Sequence, residues 1–262
     1  MTLPSWQWWR TAFVLIPLVS LYTIVFGVLS LVSGIVDRRG RLAHRCARVW
    51  ARVILRTVGV RVRVHGDWPV TGLTSAVYIS NHQSIFDIPV VFATIPAQLR
   101  VLAKAMLGGI PFIGWHLRRA GHVLVDRANP GPSVVRKMQQ LVESGASLVV
   151  FPEGTRSDDG RVGPFKPGVF AIAVDRQLPI IPITLSGTRH VMRKGHLTAR
   201  SGVVDVIVHA PISTVGLTRD DVAGVTALAR AAVTGSSVHG SSVRNPAPGT
   251  KDPGSPAPGT AP

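Results

Sequence analysis

Acidic residues are scarce in this sequence: 13 Asp and Glu stand against 29 Lys and Arg in 262 residues, a formal net charge of +16. A chain so unbalanced is drawn to something anionic, either nucleic acid or a phospholipid surface. Cysteine is nearly absent, Cys46 being the single one, which excludes a disulfide framework and a cysteine-rich zinc site. Aromatic residues make up only 6% of the chain, too few for a base-stacking RNA binder. No helix-turn-helix, zinc-finger or aromatic RNA-binding signature accompanies the basic residues, so a nucleic-acid partner is not expected. With 46% hydrophobic and 16% charged residues the chain is too apolar to be disordered, yet it has too few long apolar runs for a polytopic transporter. Its length suits one sizeable α/β domain with appendages, or two small domains.

The one long apolar run extends from Thr11 to Val36 without a charge. As a helix it would be roughly 39 Å long, more than the roughly 30 Å of a bilayer's hydrocarbon layer. Trp6, Trp8 and Trp9 precede it, residues suited to the headgroup belt, and arginines follow it. The positive-inside rule then places the rest of the chain on the cytoplasmic face of a membrane. Pro17, Gly27 and Gly34 also permit a bent hairpin half inserted in one leaflet. A cleaved signal peptide fits less well, because the run is longer than usual and no A-x-A site follows it.

Residues 1–66 hold ten arginines and a single acid, Asp37. Within them, residues 41–57 predict an amphipathic helix. Leu42, Cys46, Val49, Trp50, Val53 and Ile54 fall on one side, and Arg41, Arg45, Arg48, Arg52 and Arg56 on the other. Such a helix can lie in the plane of an anionic membrane, or pack on its own domain as a surface helix with a solvated arginine stripe. The expected organisation is a membrane anchor and basic helix over residues 1–58, a main globular domain over 59–234, and a disordered tail over 235–262. The tail is rich in Gly, Ser, Pro, Ala and Thr and cannot offset its own ordering entropy.

Between them, short β-branched runs at 60–65, 76–80, 100–104, 122–126, 147–151, 179–185 and 203–209 alternate with helix-like stretches at 84–94, 132–144 and 167–177, and a further helix at 218–233 follows. This predicts an α/β fold, a mixed, largely parallel sheet of about seven strands flanked by helices, with an N-terminal membrane-embedded helical segment. Ligands in such sheets gather beyond the strand C-termini. Two informative segments sit there. The run at 76–80 leads into Asn81-His82-Gln83-Ser84-Ile85-Phe86-Asp87. His82 and Asp87 would lie about 140° apart on a regular helix, but they can meet if His82 is in a loop and the helix begins at Ser84. Asp87 could simply cap that helix, as the carboxylate of a capping-box-like pair with Ser84. Alternatively it fixes the imidazole tautomer and leaves the other nitrogen as a general base. The run at 147–151 leads into Phe151-Pro152-Glu153-Gly154-Thr155-Arg156-Ser157, where a glycine permits close backbone approach and Arg156 offers a planar donor fork suited to phosphate. An ordinary turn would read the same way.

Together the segments resemble the glycerophospholipid acyltransferase family, whose best-known members acylate lysophosphatidate. The resemblance covers residues 60–210 in four ordered blocks. These are NHQSIFD; Lys104, Leu107, Pro111, Gly114, Gly121 and Asp126-Arg127; FPEGTRS followed by Phe165-Lys166-x-Gly168; and Ile181-Pro182-Ile183. Met106 departs from the pattern, standing where relatives often carry a glutamate. The resemblance implies acyl transfer from acyl-CoA or an acyl-carrier protein, as co-substrate, to the sn-2 hydroxyl of 1-acyl-sn-glycerol-3-phosphate, with no metal, no cofactor and no covalent acyl-enzyme. It implies His82 as base and Asp87 as its orienting partner. Lys104, Glu153, Gly154, Thr155 and Arg156 would form the substrate phosphate site, with Asn81, Arg127 and Lys166 as further candidates. Its implied partners are membrane phospholipids, lysophosphatidate and the acyl donor. Another lysolipid or glycolipid acceptor, a non-catalytic lipid-bound scaffold, and an esterase using His82 with Ser84 are the competing readings.

Overall fold

The computed structural model describes residues 5–37, 39–69, 75–125 and 132–235. The candidate Arg127, with Asp126, and the tail beyond Gly235 lie outside the described residues. Seven strands form one sheet in the order β1-β7-β6-β2-β5-β3-β4. They are β1 (Val60–His65), β2 (Val77–Ser80), β3 (Leu99–Lys104), β4 (Val123–Val125), β5 (Ser147–Val150), β6 (Ile180–Ser186) and β7 (Gly202–Val208). All neighbours pair in parallel except β6 and β7. The expected mixed, largely parallel α/β sheet is therefore the observed one.

Eight helices flank it among the described residues: α1 (Trp6–Val36), α2 (Arg41–Val58), α3 (Asp87–Thr94), α4 (Ile113–Arg119), α5 (Pro132–Glu143), α6 (Gly168–Asp175), α7 (Thr188–Val191) and α8 (Val222–Thr234). One apolar layer joins the inner sides of α2 and α3 to one face of the sheet, and a second joins α5, α6 and α8 to the other. The central strands β2 and β5 are buried along their whole length, because both faces are covered. Edge strand β1 instead exposes Arg61 and Arg63, charges that discourage pairing with a further strand. The short α4 was not legible beforehand. It is held by a close approach at Gly114, where any Cβ would collide with the Gly108 carbonyl oxygen.

The N-terminal run differs from the bent-hairpin expectation. Residues Trp6–Val36 form one helix, with a π-helical turn at Thr11–Leu15 just ahead of Pro17. Proline has no N–H to give to the preceding turn, and the wider turn accommodates that loss. The hairpin is made by α1 and α2, bonded to each other at two levels, with α4 bonded to α1 at two more. Arg10 donates to the Val58 carbonyl (3.0 Å), and Trp50 Nε1 donates to Thr23 Oγ1 (3.1 Å). His116 Nδ1 meets Ser30 Oγ at 2.7 Å, and Arg119 donates to the Gly34 carbonyl. Gly27, Ser30 and Gly34 form a small-residue stripe that receives α4.

A second correction concerns α2. Its buried side is made by Ala47, Ala51, Ile54, Leu55 and Val58, packed on its own domain; of the residues expected on its apolar side only Ile54 is buried, while Leu42, Cys46, Trp50 and Val53 are half-buried and Val49 is exposed. Most of the exposed apolar surface of the N-terminal segment lies on α1: Phe13, Leu21, Val28, Val32, Ile35 and Val36 all face outward, with Trp115 of α4 also exposed. A contiguous apolar surface of this kind marks an interaction site.

Where the hairpin meets the sheet, His44, His116 and His122 gather around Phe92 and Arg100. Burial pushes His44 and His116 down to about 4 and His122 well below the usual histidine range, and the buried Arg100 charge adds to each. Such groups stay neutral when folded and protonate when unfolded, so between pH 6.5 and about 4 the unfolded chain binds more protons. Stability is then whole above pH 6.5 and declines as pH falls, by up to about 1.4 kcal/mol per histidine per pH unit. The denaturant midpoint of the full chain in detergent is expected to drop across that window, with a shallower slope in His116→Gln. Equal slopes for both proteins would refute this account.

Candidate active site

Beyond β2, the chain holds the pair His82 and Asp87 in direct contact. His82 Nδ1 lies 2.7 Å from Asp87 Oδ2, and the same oxygen accepts the backbone N–H groups of Gln83 (2.7 Å) and Ser84 (2.8 Å). Asp87 is fully buried and His82 nearly so. The imidazole is stacked on Phe151, ring centroids 4.2 Å apart and planes 22° off parallel, which fixes the ring plane. A carboxylate at Nδ1 selects the Nδ1–H tautomer and leaves the Nε2 lone pair for a proton.

The helix starts at Asp87, three residues later than the expected Ser84. Residues 84–86 form a turn in which the Ser84 hydroxyl donates to the Met192 carbonyl (2.7 Å) and accepts the Phe86 N–H (3.2 Å). The capping and orienting readings of Asp87 therefore merge: one oxygen serves the turn and the imidazole together. Ser84 donates away from His82, which removes the support for an esterase built on those two residues. Asn81 is a structural pin here. Its amide exchanges two hydrogen bonds with Leu185 of β6, at 2.9 and 2.8 Å.

Strands β2 and β5 are neighbours, so the loop after β5 meets the loop after β2. Glu153 ties them: Oε1 accepts the His82 N–H (2.7 Å) and Oε2 accepts the Gly163 N–H (2.8 Å). The Ser157 N–H donates to the His82 carbonyl (2.8 Å). Both carboxylate oxygens of Glu153 are thus engaged with backbone, and its geometry is that of a clamp rather than of a group reaching for a phosphate. Gly154 has φ +75°, and a Cβ there would lie 3.2 Å from Lys166 Cε and Nζ, so the turn brings the Lys166 ammonium against the loop. Thr155 is exposed. Arg156 is half-buried and, among the described residues, makes no ion pair or hydrogen bond. Lys104 is exposed at the end of β3, the strand next to β5. The ends of β2, β5 and β3 lie side by side on one edge, parallel strands being about 4.8 Å apart, with His82 and Arg156 in the loops that follow β2 and β5 and Lys104 closing β3.

Three contributors escaped sequence reasoning. Gln83 donates to the Gly160 carbonyl (3.1 Å), and Arg189 donates to the carbonyls of Ser157 (3.4 Å) and Asp158 (2.7 Å), holding the 157–160 loop. Gly163 supplies the second donor to Glu153. Arg189 and Gly163 carry no spacing signal, whereas Gln83 lies inside the first block.

A model of the Acyltransferase family matches residues 61–186. A chloroplastic 1-acyl-sn-glycerol-3-phosphate acyltransferase of Brassica napus is 37% identical over 179 residues, covering 66% of this chain and 51% of that protein. A human 1-acyl-sn-glycerol-3-phosphate acyltransferase alpha is 36% identical over 167 residues, covering 63% and 59%. The chain thus spans little more than half the length of these relatives. The crystal structure of PlsC, the 1-acyl-sn-glycerophosphate (LPA) acyltransferase of Thermotoga maritima, superposes with a TM-score of 0.73 at 25% identity, covering 87% of this chain and 92% of that one.

Proposed function

The chain belongs to the glycerophospholipid acyltransferase family, and from that membership we propose that it transfers a fatty acyl group from acyl-CoA or acyl-carrier protein to the sn-2 hydroxyl of 1-acyl-sn-glycerol-3-phosphate, giving phosphatidic acid. The observation that carries this reading is the 2.7 Å contact of His82 Nδ1 with buried Asp87, with Nε2 left as a base. Nε2 takes the acceptor's hydroxyl proton while the oxygen attacks the thioester carbonyl. The tetrahedral adduct expels the thiolate, and the proton on Nε2 passes to that sulfur. Asp87 steadies the imidazolium between the two transfers, the part a buried carboxylate plays in hydrolase triads. Lys104 and Arg156 neutralise the acceptor's phosphate, and Lys166 borders the same loop.

Attachment to a membrane follows from α1. Its outer face is apolar, and its inner face is bonded along its length to α2 and α4, so the helix moves with the catalytic domain. The proposed arrangement has residues 1–58 seated at the leaflet and residues 59–234 on the cytoplasmic face, where a bilayer acceptor and a soluble donor meet.

Purified full-length protein in mixed micelles, given labelled oleoyl-CoA or oleoyl-carrier protein and a panel of lysolipid and glycolipid acceptors, tests the reaction. Acylation of lysophosphatidate above the other acceptors is expected, and no transfer to any acceptor would favour a lipid-bound scaffold. Arg156→Ala is expected to lower kcat/KM for lysophosphatidate about tenfold or more, the worth of a charge-assisted phosphate contact. An acceptor lacking the phosphomonoester should suffer less. Equal losses would make Arg156 architectural and remove the main support for this acceptor.

A further inference from the structure

A second cationic recess lies away from the catalytic loops. The first turns of α2 and the chain leading into β3 enclose an open cleft of about 260 Å³, lined by Arg41, His44, Arg45, Arg48 and residues Pro96, Ala97 and Gln98. Among the described residues no acidic side chain lines it. Residues 96–98 precede β3, whereas Lys104 ends it, so the cleft opens at the opposite edge of the sheet from His82. The six residues of β3 alone separate the two edges by roughly 17 Å. A substrate phosphate held near Lys104 and Arg156 therefore cannot occupy it.

The cleft is lined by groups whose bonding is unfinished. His44 is only 7% exposed, and neither ring nitrogen has a hydrogen bond of normal geometry, the Ala97 carbonyl giving at most a weak contact. Arg48 Nε is also buried and unpartnered. Just behind, the guanidinium of Arg100 is 5% exposed and donates only to carbonyls, those of Leu99 and Arg39, and its Nε has no partner. Buried donors without acceptors are costly; the Asp37 carboxylate of the hairpin turn acts on Arg100 and Arg41 by charge alone, and an anion seated in the cleft would supply the acceptors that the unpartnered donors lack. The exposed Ile35 and Val36 end α1 just before α2 begins at Arg41, so the cleft lies close in sequence to the apolar end of α1. An anion arriving with apolar chains attached would find both of its halves matched.

We propose that this cleft binds the phosphate headgroup of an anionic phospholipid in the leaflet, as a docking site separate from the catalytic one. The inference rests on the membrane attachment proposed above. The lipid would fix the orientation of the hairpin, and the reaction product, itself a phosphate-bearing lipid, is among the ligands of the right chemistry.

The test uses full-length protein in neutral detergent with nitrogen-15-labelled histidine side chains, titrated with dihexanoyl phosphatidate and separately with inorganic phosphate. The expected result is a saturable shift of the His44 resonance with the lipid and little with inorganic phosphate. In R41Q/R45Q the apparent Kd should rise at least about tenfold beyond that of R52Q/R56Q, which removes the same charge from the same helix outside the cleft. Equal weakening of the two variants would reduce the effect to diffuse surface charge and overturn the site. Equal saturation by inorganic phosphate would overturn the lipid assignment. A shift at His82 with none at His44 would overturn this site while leaving the proposed reaction standing, and acyl transfer without any His44 shift would do the same.

Discussion

His82→Ala is expected to lower turnover by about 10²–10⁴-fold, the usual contribution of a positioned general base, with fold and membrane attachment unchanged. Alanine keeps the backbone N–H that Glu153 holds and the carbonyl that Ser157 reaches, so the loop retains both of its ties. Asp87 loses its imidazole partner but keeps the Gln83 and Ser84 N–H groups, which go on satisfying its buried Oδ2. The loss should therefore fall on kcat more than on KM. Asp87→Asn supplies the companion measurement: an amide can present a donor to Nδ1, favouring the wrong tautomer. Its activity should fall comparably while circular dichroism stays native. Loss of folded protein in His82→Ala, or activity within a few-fold of wild type, would refute the base assignment.

Glu153→Ala is expected to cost about 10²-fold in kcat without any direct contact between Glu153 and substrate. Removing the carboxylate leaves the His82 and Gly163 N–H groups without acceptors, a penalty of about 1–3 kcal/mol each, and unties the loop after β5 from the loop after β2. His82 would then drift relative to Arg156, and a displacement near 1 Å is enough for a loss of about 10². Glu153→Gln keeps one acceptor and turns an NH₂ toward the other donor, so it should fall between wild type and alanine. The two roles separate on this variant. If Glu153 faced the acceptor's phosphate, removing its negative charge would tighten lysophosphatidate binding with kcat unchanged, and that result would overturn the clamp.

Much of the site was legible in linear order because its residues sit where strands end. Periodicity and β-branched runs located the seven strands, and the residues following β2, β3 and β5 were the chemically distinctive ones. The His82–Asp87 contact was legible as a possibility, since five residues can close a loop onto a helix start. Three expectations were settled by packing: residues 11–36 belong to one helix and not to a bent hairpin, α2 buries one side in its own domain, and the helix after the His82 loop starts at Asp87 and not at Ser84. Residues 11–36 are apolar throughout and residues 41–57 are apolar on one side, but a hydrophobic pattern says that surface is withdrawn from water and not against what. Packing decided which side of α2 meets the core, that small residues of α1 receive α4, and that most of the exposed apolar surface of the N-terminal segment lies on the outer side of α1.

The sequence by itself determined the fold class, the four ordered blocks, the basic and apolar N-terminus, and which side chains are chemically capable. Those properties are local: they depend on residue type and on spacing within a few turns. Tertiary structure alone decided the strand order, and with it the meeting of the β2 and β5 loops through Glu153, the placing of Lys104 beside them, and the separation of the Arg41–Arg48 cleft from the catalytic edge. Parallel strands must be joined by crossovers, so neighbours in the sheet are distant in the chain, and no local pattern records which strand lies beside which.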